Sequence, residues 1–128
     1  MSDPIVFIAR QKIKAGKFEG YMQNFQDVVN FVEPNKPNTV GFLNYCSEDR
    51  TEATLIQVYQ NAEGMEQHVQ GLSEIAKKSY ESMDVISFEI YGQPSEATLT
   101  MMANLAKSGV PVKITPHFNG GYIRLKSG

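Results

Sequence analysis

The stretch TVGFLNYCSEDRTEATLIQVYQ, Thr39 to Gln60, decides the fold. Its two arms, Thr39 to Ser47 and Ala53 to Gln60, alternate in side-chain character around the polar run Glu48-Asp49-Arg50-Thr51-Glu52. A period of two is that of a pleated strand, and a short polar link between two such runs predicts an antiparallel hairpin. Punctuation stands on both sides. Pro34-Asn35-Lys36-Pro37-Asn38 precedes the hairpin, and Asn61, which can cap a helix, follows it.

Outward from the hairpin the period changes to that of a helix on each side. Upstream, from Lys17, the apolar positions Phe18, Tyr21, Met22, Phe25, Val28, Val29 and Val32 make one stripe, and Pro34 is expected to stop it. Downstream, Met65, Val69, Leu72, Ile75, Ala76, Tyr80 and Met83 make another. Beyond the helices lie two more strands. Ile5 to Ile13 opens with a β-rich run, and Val85 to Tyr91 alternates with Ile86, Phe88 and Ile90 on one face.

Strand, helix, strand, strand, helix, strand is the ferredoxin-like βαββαβ order, an α+β fold with an antiparallel sheet and its helices on one face. After it, Ser95 can cap a third helix striped by Thr98, Met101, Met102 and Leu105 and closed by Gly109. Val112 to Thr115 and Tyr122 to Leu125 flank Asn119-Gly120, a tight-turn signal that suggests a closing hairpin. The whole chain, 1–128, reads as one domain with a core over 5–92 and an extension over 93–128. The strands are apolar on both faces, with Val6, Ile8, Ile56 and Val58 opposed to Ile5, Phe7, Leu55 and Tyr59. Such a sheet does not leave its second face in water, and a second copy of the chain is the simplest cover.

Composition narrows the function. The 128 residues are 41% hydrophobic and 20% charged with a net charge of −2, an ordinary globular balance with no field to gather phosphate backbones, so no nucleic-acid partner is expected. No apolar run is long enough for a membrane span and the first residues lack a basic leader, from which we expect a cytoplasmic protein with no membrane partner. One cysteine, Cys46, and two histidines, His68 and His117, offer no recognisable ligand set, and the dinucleotide, P-loop, hydrolase-elbow and zincin motifs are absent from the sequence. No cofactor or metal is expected on these grounds.

The opening strand Ile5-Val6-Phe7-Ile8-Ala9-Arg10, the strand Leu55-Ile56-Gln57-Val58-Tyr59 and the helix entry from Asn61 to Val69 with its His68 carry a resemblance. Over roughly Ile5 to Gly92 the chain resembles the antibiotic biosynthesis monooxygenase family, small ferredoxin-like chains that pair sheet to sheet as a dimeric α/β barrel. The resemblance implies a cofactor-independent monooxygenase that oxidises a phenolic, quinol or polyketide-like aromatic ring with O₂ as a homodimer. The haem-degrading branch of that superfamily fits poorly. The chain has no Trp, Ala9 stands where that branch needs Asn, and Lys77-Lys78 where it needs the ligand His.

In that scheme His68 is the candidate base and Tyr59 and Asn44 position the ring, with Met65, Phe25 and Met22 on its walls. Each residue has a plainer reading. His68, on the stripe of Met65 and Val69, also suits a buried imidazole with one hydrogen-bond partner; Tyr59, Tyr91 and the methionines suit core or interface packing; Cys46 suits a small buried filler. Asn44, between Phe42 and Cys46, needs a polar partner if it is buried. Arg10 shares a face with Val6 and Ile8 and suits an ion pair, with Glu89 as the expected partner. The same fold without turnover, a dimeric small-hydrophobic-ligand-binding or stress-response module, is the alternative function.

Overall fold

The computed structural model describes residues 3–71 and 73–124. Four strands follow the expected order: β1 Ile5–Ile13, β2 Thr39–Cys46, β3 Glu52–Tyr59 and β4 Met83–Tyr91. A fifth, β5 Val112–Thr115, joins them in one sheet of order β2-β3-β1-β4-β5. Helices α1 Phe18–Asn35, α2 Ala62–Gly71, α3 Ser73–Ser79 and α4 Glu96–Lys107 contribute side chains to the sheet's inner face.

The inner face follows the alternation of β1. Ile5, Phe7, Ala9, Gln11 and Ile13 are buried, whereas Arg10 is exposed. The main core joins Ile5, Phe7, Tyr59, Met65, Phe88, Ile90 and Met102, and a smaller cluster joins Ile13, Tyr21, Ala53 and Met83. On the outer face Arg10 and Glu89 form the expected ion pair at 2.6 Å, and the Tyr91 hydroxyl donates to the same carboxylate at 2.8 Å. Tyr91 therefore serves the outer face. Leu43 and Tyr45, 48% and 58% exposed, also lie there, beside Ile56 and Val58.

Six expectations need correction. The sheet is mixed, because β5 pairs parallel with β4, and residues 121–124 form no strand, so the closing hairpin is absent among the described residues; Leu125 lies outside them. An isolated two-stranded hairpin is marginal in water, while the open edge of β4 offers a ready ladder. In β4 a register shift opposite Arg10/Gln11 pairs Gln11 with Val85, leaving Ile86 unpaired and exposed. One residue of bulge reverses the inward parity at that end. Pro34 lies inside α1, which runs one residue further, because a proline in the last turn removes only its own donor.

The second helical stripe ends at Ser79, with Tyr80 in the turn that follows and Met83 opening β4; Leu72 lies outside the described residues. The Lys36 ammonium lies over Gly71 and donates to the Gln67 carbonyl at 3.0 Å. Finally, Cys46 is exposed at the end of the edge strand β2, not buried.

The caps agree with the sequence. Asn61 Oδ1 accepts from the Gly64 N–H at 2.8 Å. Ser95 Oγ accepts from the Thr98 N–H at 3.2 Å and donates to Glu66 Oε1 at 2.7 Å, so one hydroxyl both starts α4 and ties it to α2. Ser95→Ala is expected to cost about 1 kcal/mol, or about 4 °C in melting temperature, read by thermal unfolding. No change would mean the tie to Glu66 adds nothing and the cap is replaced by water.

Candidate active site

Between the inner sheet face and the four helices lies a cavity of about 310 Å³. Its walls are apolar and aromatic. Phe25 of α1 and Phe42 of β2 stack with their rings 5° from parallel and centroids 5.5 Å apart, and Phe7, Phe88 and Leu55 form part of the floor. The extension supplies a further wall through Met101, Met102 and Leu105 of α4. No Asp, Glu, Lys or Arg lines the cavity among the described residues.

Polar groups enter from the strands and from α1 and α2. His68, 3% exposed, packs edge-on to Tyr59 with centroids 5.2 Å apart and lies 5.7 Å from Phe42. Its Nδ1 shares a hydrogen bond of 2.9 Å with Thr39 Oγ1, in which the tautomer decides the donor. Burial first, and then the positive charge of Lys36, lowers the His68 pKa to about 4, so the ring is neutral at physiological pH. Its Nε2 has no partner among the described residues.

On the other side, Asn44 Nδ2 donates to the Tyr21 hydroxyl at 2.8 Å, and that hydroxyl donates to Gln11 Oε1 at 2.5 Å. Asn44, half-buried, thus has a polar partner. The Tyr21 pKa is raised, chiefly by burial, so the phenol keeps its proton and its donor role. Tyr59 donates to Gln57 Oε1 at 2.9 Å, and burial holds its pKa well above the ordinary phenol range.

Of the residues expected at the site, His68, Asn44 and Phe25 line the cavity together. Tyr59 and Met65 do not line it; both are fully buried behind it, and Tyr59 reaches it only through His68 and Gln57. Met22 is 38% exposed on α1 and outside the lining. Gln11, Gln57, Tyr21 and Asn24 line the cavity without having been singled out. The signal was present for two of them: Gln11 and Gln57 are the amides in the inward frames Ile5-Phe7-Ala9-Gln11-Ile13 and Ala53-Leu55-Gln57-Tyr59.

Among the described residues no three His, Cys, Asp or Glu side chains are placed to hold a metal ion, and no helix is long and apolar enough to cross a membrane. The lining suits a neutral organic molecule bearing a few oxygens.

No family model matches the sequence, and no curated protein matches it. Solved structures do match in fold. MupZ from Pseudomonas fluorescens superposes with a TM-score of 0.72 at 13% identity over 94% of each chain. SnoaB, a cofactor-independent oxygenase from Streptomyces nogalater, gives 0.62 at 13% identity over 73% of this chain and 96% of its own. A Caulobacter crescentus protein provisionally described as an antibiotic biosynthesis monooxygenase gives 0.61 at 15% identity over 70% and 86%. The two shorter matches leave more than a quarter of this chain unpaired, whereas MupZ matches nearly all of it. The chain therefore has the ferredoxin-like fold of the antibiotic biosynthesis monooxygenases, with β5 added to the sheet and α4 packed against the core.

Proposed function

We propose that the protein is a cofactor-independent monooxygenase acting on a flat phenolic, quinol or polyketide-like ring. The observation that carries this reading is the cavity itself, apolar and free of charge, with a neutral imidazole, a phenol and several amides facing a few points of it. The fold shared with the oxygenase SnoaB supports it. For an anthrone-like ring the step balances without a cofactor: a ring CH₂ and O₂ become C=O and water. The electrons come from the substrate once a proton leaves it, and the protein orients the ring and excludes water.

Magnitudes set the role of His68. A phenol of pKa about 10 facing an imidazole of about 4 loses its proton at a cost of roughly 8 kcal/mol. Attraction between the resulting charges about 4 Å apart returns roughly 4 kcal/mol at an effective dielectric of 20. Ionisation is therefore transient, and His68 acts as a hydrogen-bond partner that accepts the proton only as O₂ takes the electron. His68→Gln, which keeps an amide beside Thr39, is expected to lower turnover about 10²-fold with the fold retained. Normal turnover would remove His68 from the reaction.

The same weak basicity favours a second reading, a binding module without turnover. Oxygen uptake by metal-free protein with hydroquinones, naphthols and anthrones separates the two. Saturable uptake supports the oxygenase, and saturable binding with no uptake supports the module.

In either reading the outer sheet face, with Leu43, Tyr45, Ile56 and Val58, pairs with a second copy to form the dimeric barrel. Light scattering at micromolar concentration is expected to give twice the chain mass. A monomer would refute the barrel.

A further inference from the structure

Two glutamines on the cavity floor are held in the same way. Gln57 Oε1 accepts from the Tyr59 hydroxyl at 2.9 Å, and Gln11 Oε1 accepts from the Tyr21 hydroxyl at 2.5 Å. Both glutamines and both tyrosines are buried. Each amide is thereby turned with its carbonyl toward a phenol, and neither Nε2 has a partner among the described residues. No buried side-chain nitrogen or oxygen is left without a partner among those residues, so each Nε2 retains accessible surface. For residues lining the cavity, that surface is the cavity's own.

A buried tyrosine needs only an acceptor, which a threonine hydroxyl or a backbone carbonyl could supply. The amide nitrogen exceeds that need, and desolvating it without a partner would cost about 1–3 kcal/mol. Its presence twice points to something the cavity receives.

The register places the two donors apart. Gln57 pairs with Phe7 on β1, and Gln11 lies four residues further along that strand, so their Cα atoms are roughly 14 Å apart. Between them the inward positions are Ala9, Leu55 and Phe88, all apolar, with the small Ala9 leaving room over the middle of the floor. His68 stands beside Tyr59 at the Gln57 end, and Asn44 is bonded to Tyr21 at the other. The cavity thus has two polar poles and an apolar waist.

We infer that the ligand is a two-ended acceptor: a neutral, rigid, apolar body of fused-ring size that carries one hydrogen-bond-accepting oxygen at each end, received by the Gln11 and Gln57 amides. It rests on the ligand-binding part of the function proposed above and needs none of the oxygen chemistry. Gln11 and Gln57 are then specificity-determining residues, and Tyr21 and Tyr59 position them. A ring with oxygens along one edge only satisfies one pole and leaves the other amide buried and unpaired, which is how such a site rejects it.

The test uses the intact protein under argon and three probes of equal size: 2,6-diacetylnaphthalene, 2-acetyl-6-ethylnaphthalene and 2,6-diethylnaphthalene. Binding is measured by titration calorimetry. Each carbonyl is expected to tighten binding about tenfold, the order of one buried hydrogen bond. Gln11→Leu and Gln57→Leu are each expected to weaken the diacetyl probe about tenfold and to leave the diethyl probe unweakened. Equal affinity for all three probes overturns the inference, as does loss of the same factor from the diacetyl and diethyl probes in both variants, or no saturable binding by any probe. Should a variant not fold, the three probes on the unmodified protein still decide. Oxygen uptake is not involved, so failure of the oxygenase reading leaves this result standing.

Discussion

Lowering the pH from 7 to 4 is expected to weaken the fold by about 3 kcal/mol through His68 alone. The ring is 3% exposed, and its pKa in the folded chain is about 4, against an ordinary 6.5, because burial and then Lys36 disfavour the imidazolium. Above pH 6.5 both folded and unfolded chains hold it neutral, and its contribution is fully present. As the pH falls below 6.5 the unfolded chain takes up a proton that the folded chain refuses, and stability declines until both are protonated near pH 4. A difference of 2.5 units at about 1.36 kcal/mol each gives the stated loss.

Glu89, held low first by the Tyr91 hydroxyl and then by Arg10, and Asp49, held low first by Thr51, lose their contributions at lower pH in the same direction. His68→Gln removes only the imidazole. Urea unfolding at pH 7, 5.5 and 4 is therefore expected to show a steeper decline in the natural protein than in the variant, by about 3 kcal/mol over the range. Parallel curves would show that His68 titrates normally in the fold.

Tyr59→Ala is expected to cost about 4 kcal/mol, the largest effect of any single truncation discussed. The side chain is completely buried at the end of β3, in the main core with Ile5, Met65 and Ile90, and edge-on to His68. Removing it opens a void that its neighbours on β1, β4 and α2 cannot close. Tyr59→Phe keeps the ring and removes only the bond to Gln57, at an expected cost of about 1–2 kcal/mol. Guanidinium unfolding of the two variants separates packing from hydrogen bonding. Equal losses would mean that the hydroxyl, and not the ring, holds this corner.

Local chemistry was legible wherever it was also decisive. β1 runs over the span its pattern marks, Asn61 and Ser95 cap the helices they precede, and Arg10 meets Glu89. His68 lies on the inward stripe and lines the cavity. What escaped depends on partners distant in sequence. The inward position of Val85 in place of Ile86 follows from a bulge that only the pairing with β1 reveals. The parallel union of β5 with β4 is invisible in four residues whose local neighbour, an Asn-Gly turn, suggests a different partner. Gln11 and Gln57 sit at countable inward positions, but the phenols that hold them, Tyr21 and Tyr59, are met through side-chain contacts that no period in the sequence marks.

The central place of β1 in the sheet sets a timetable for biosynthesis. The strand is synthesised before both of its neighbours, and Arg10 waits 79 residues for Glu89. At synthesis rates of about 5–20 residues per second, that interval is roughly 4–16 s. Throughout it, Ile5, Phe7 and Ala9 lack the β4 side of their core, and the nascent chain carries a hydrophobic strand with one edge unpaired. Holdase chaperones that bind extended apolar segments would find their target there, and release would be timed by the emergence of Met83–Tyr91.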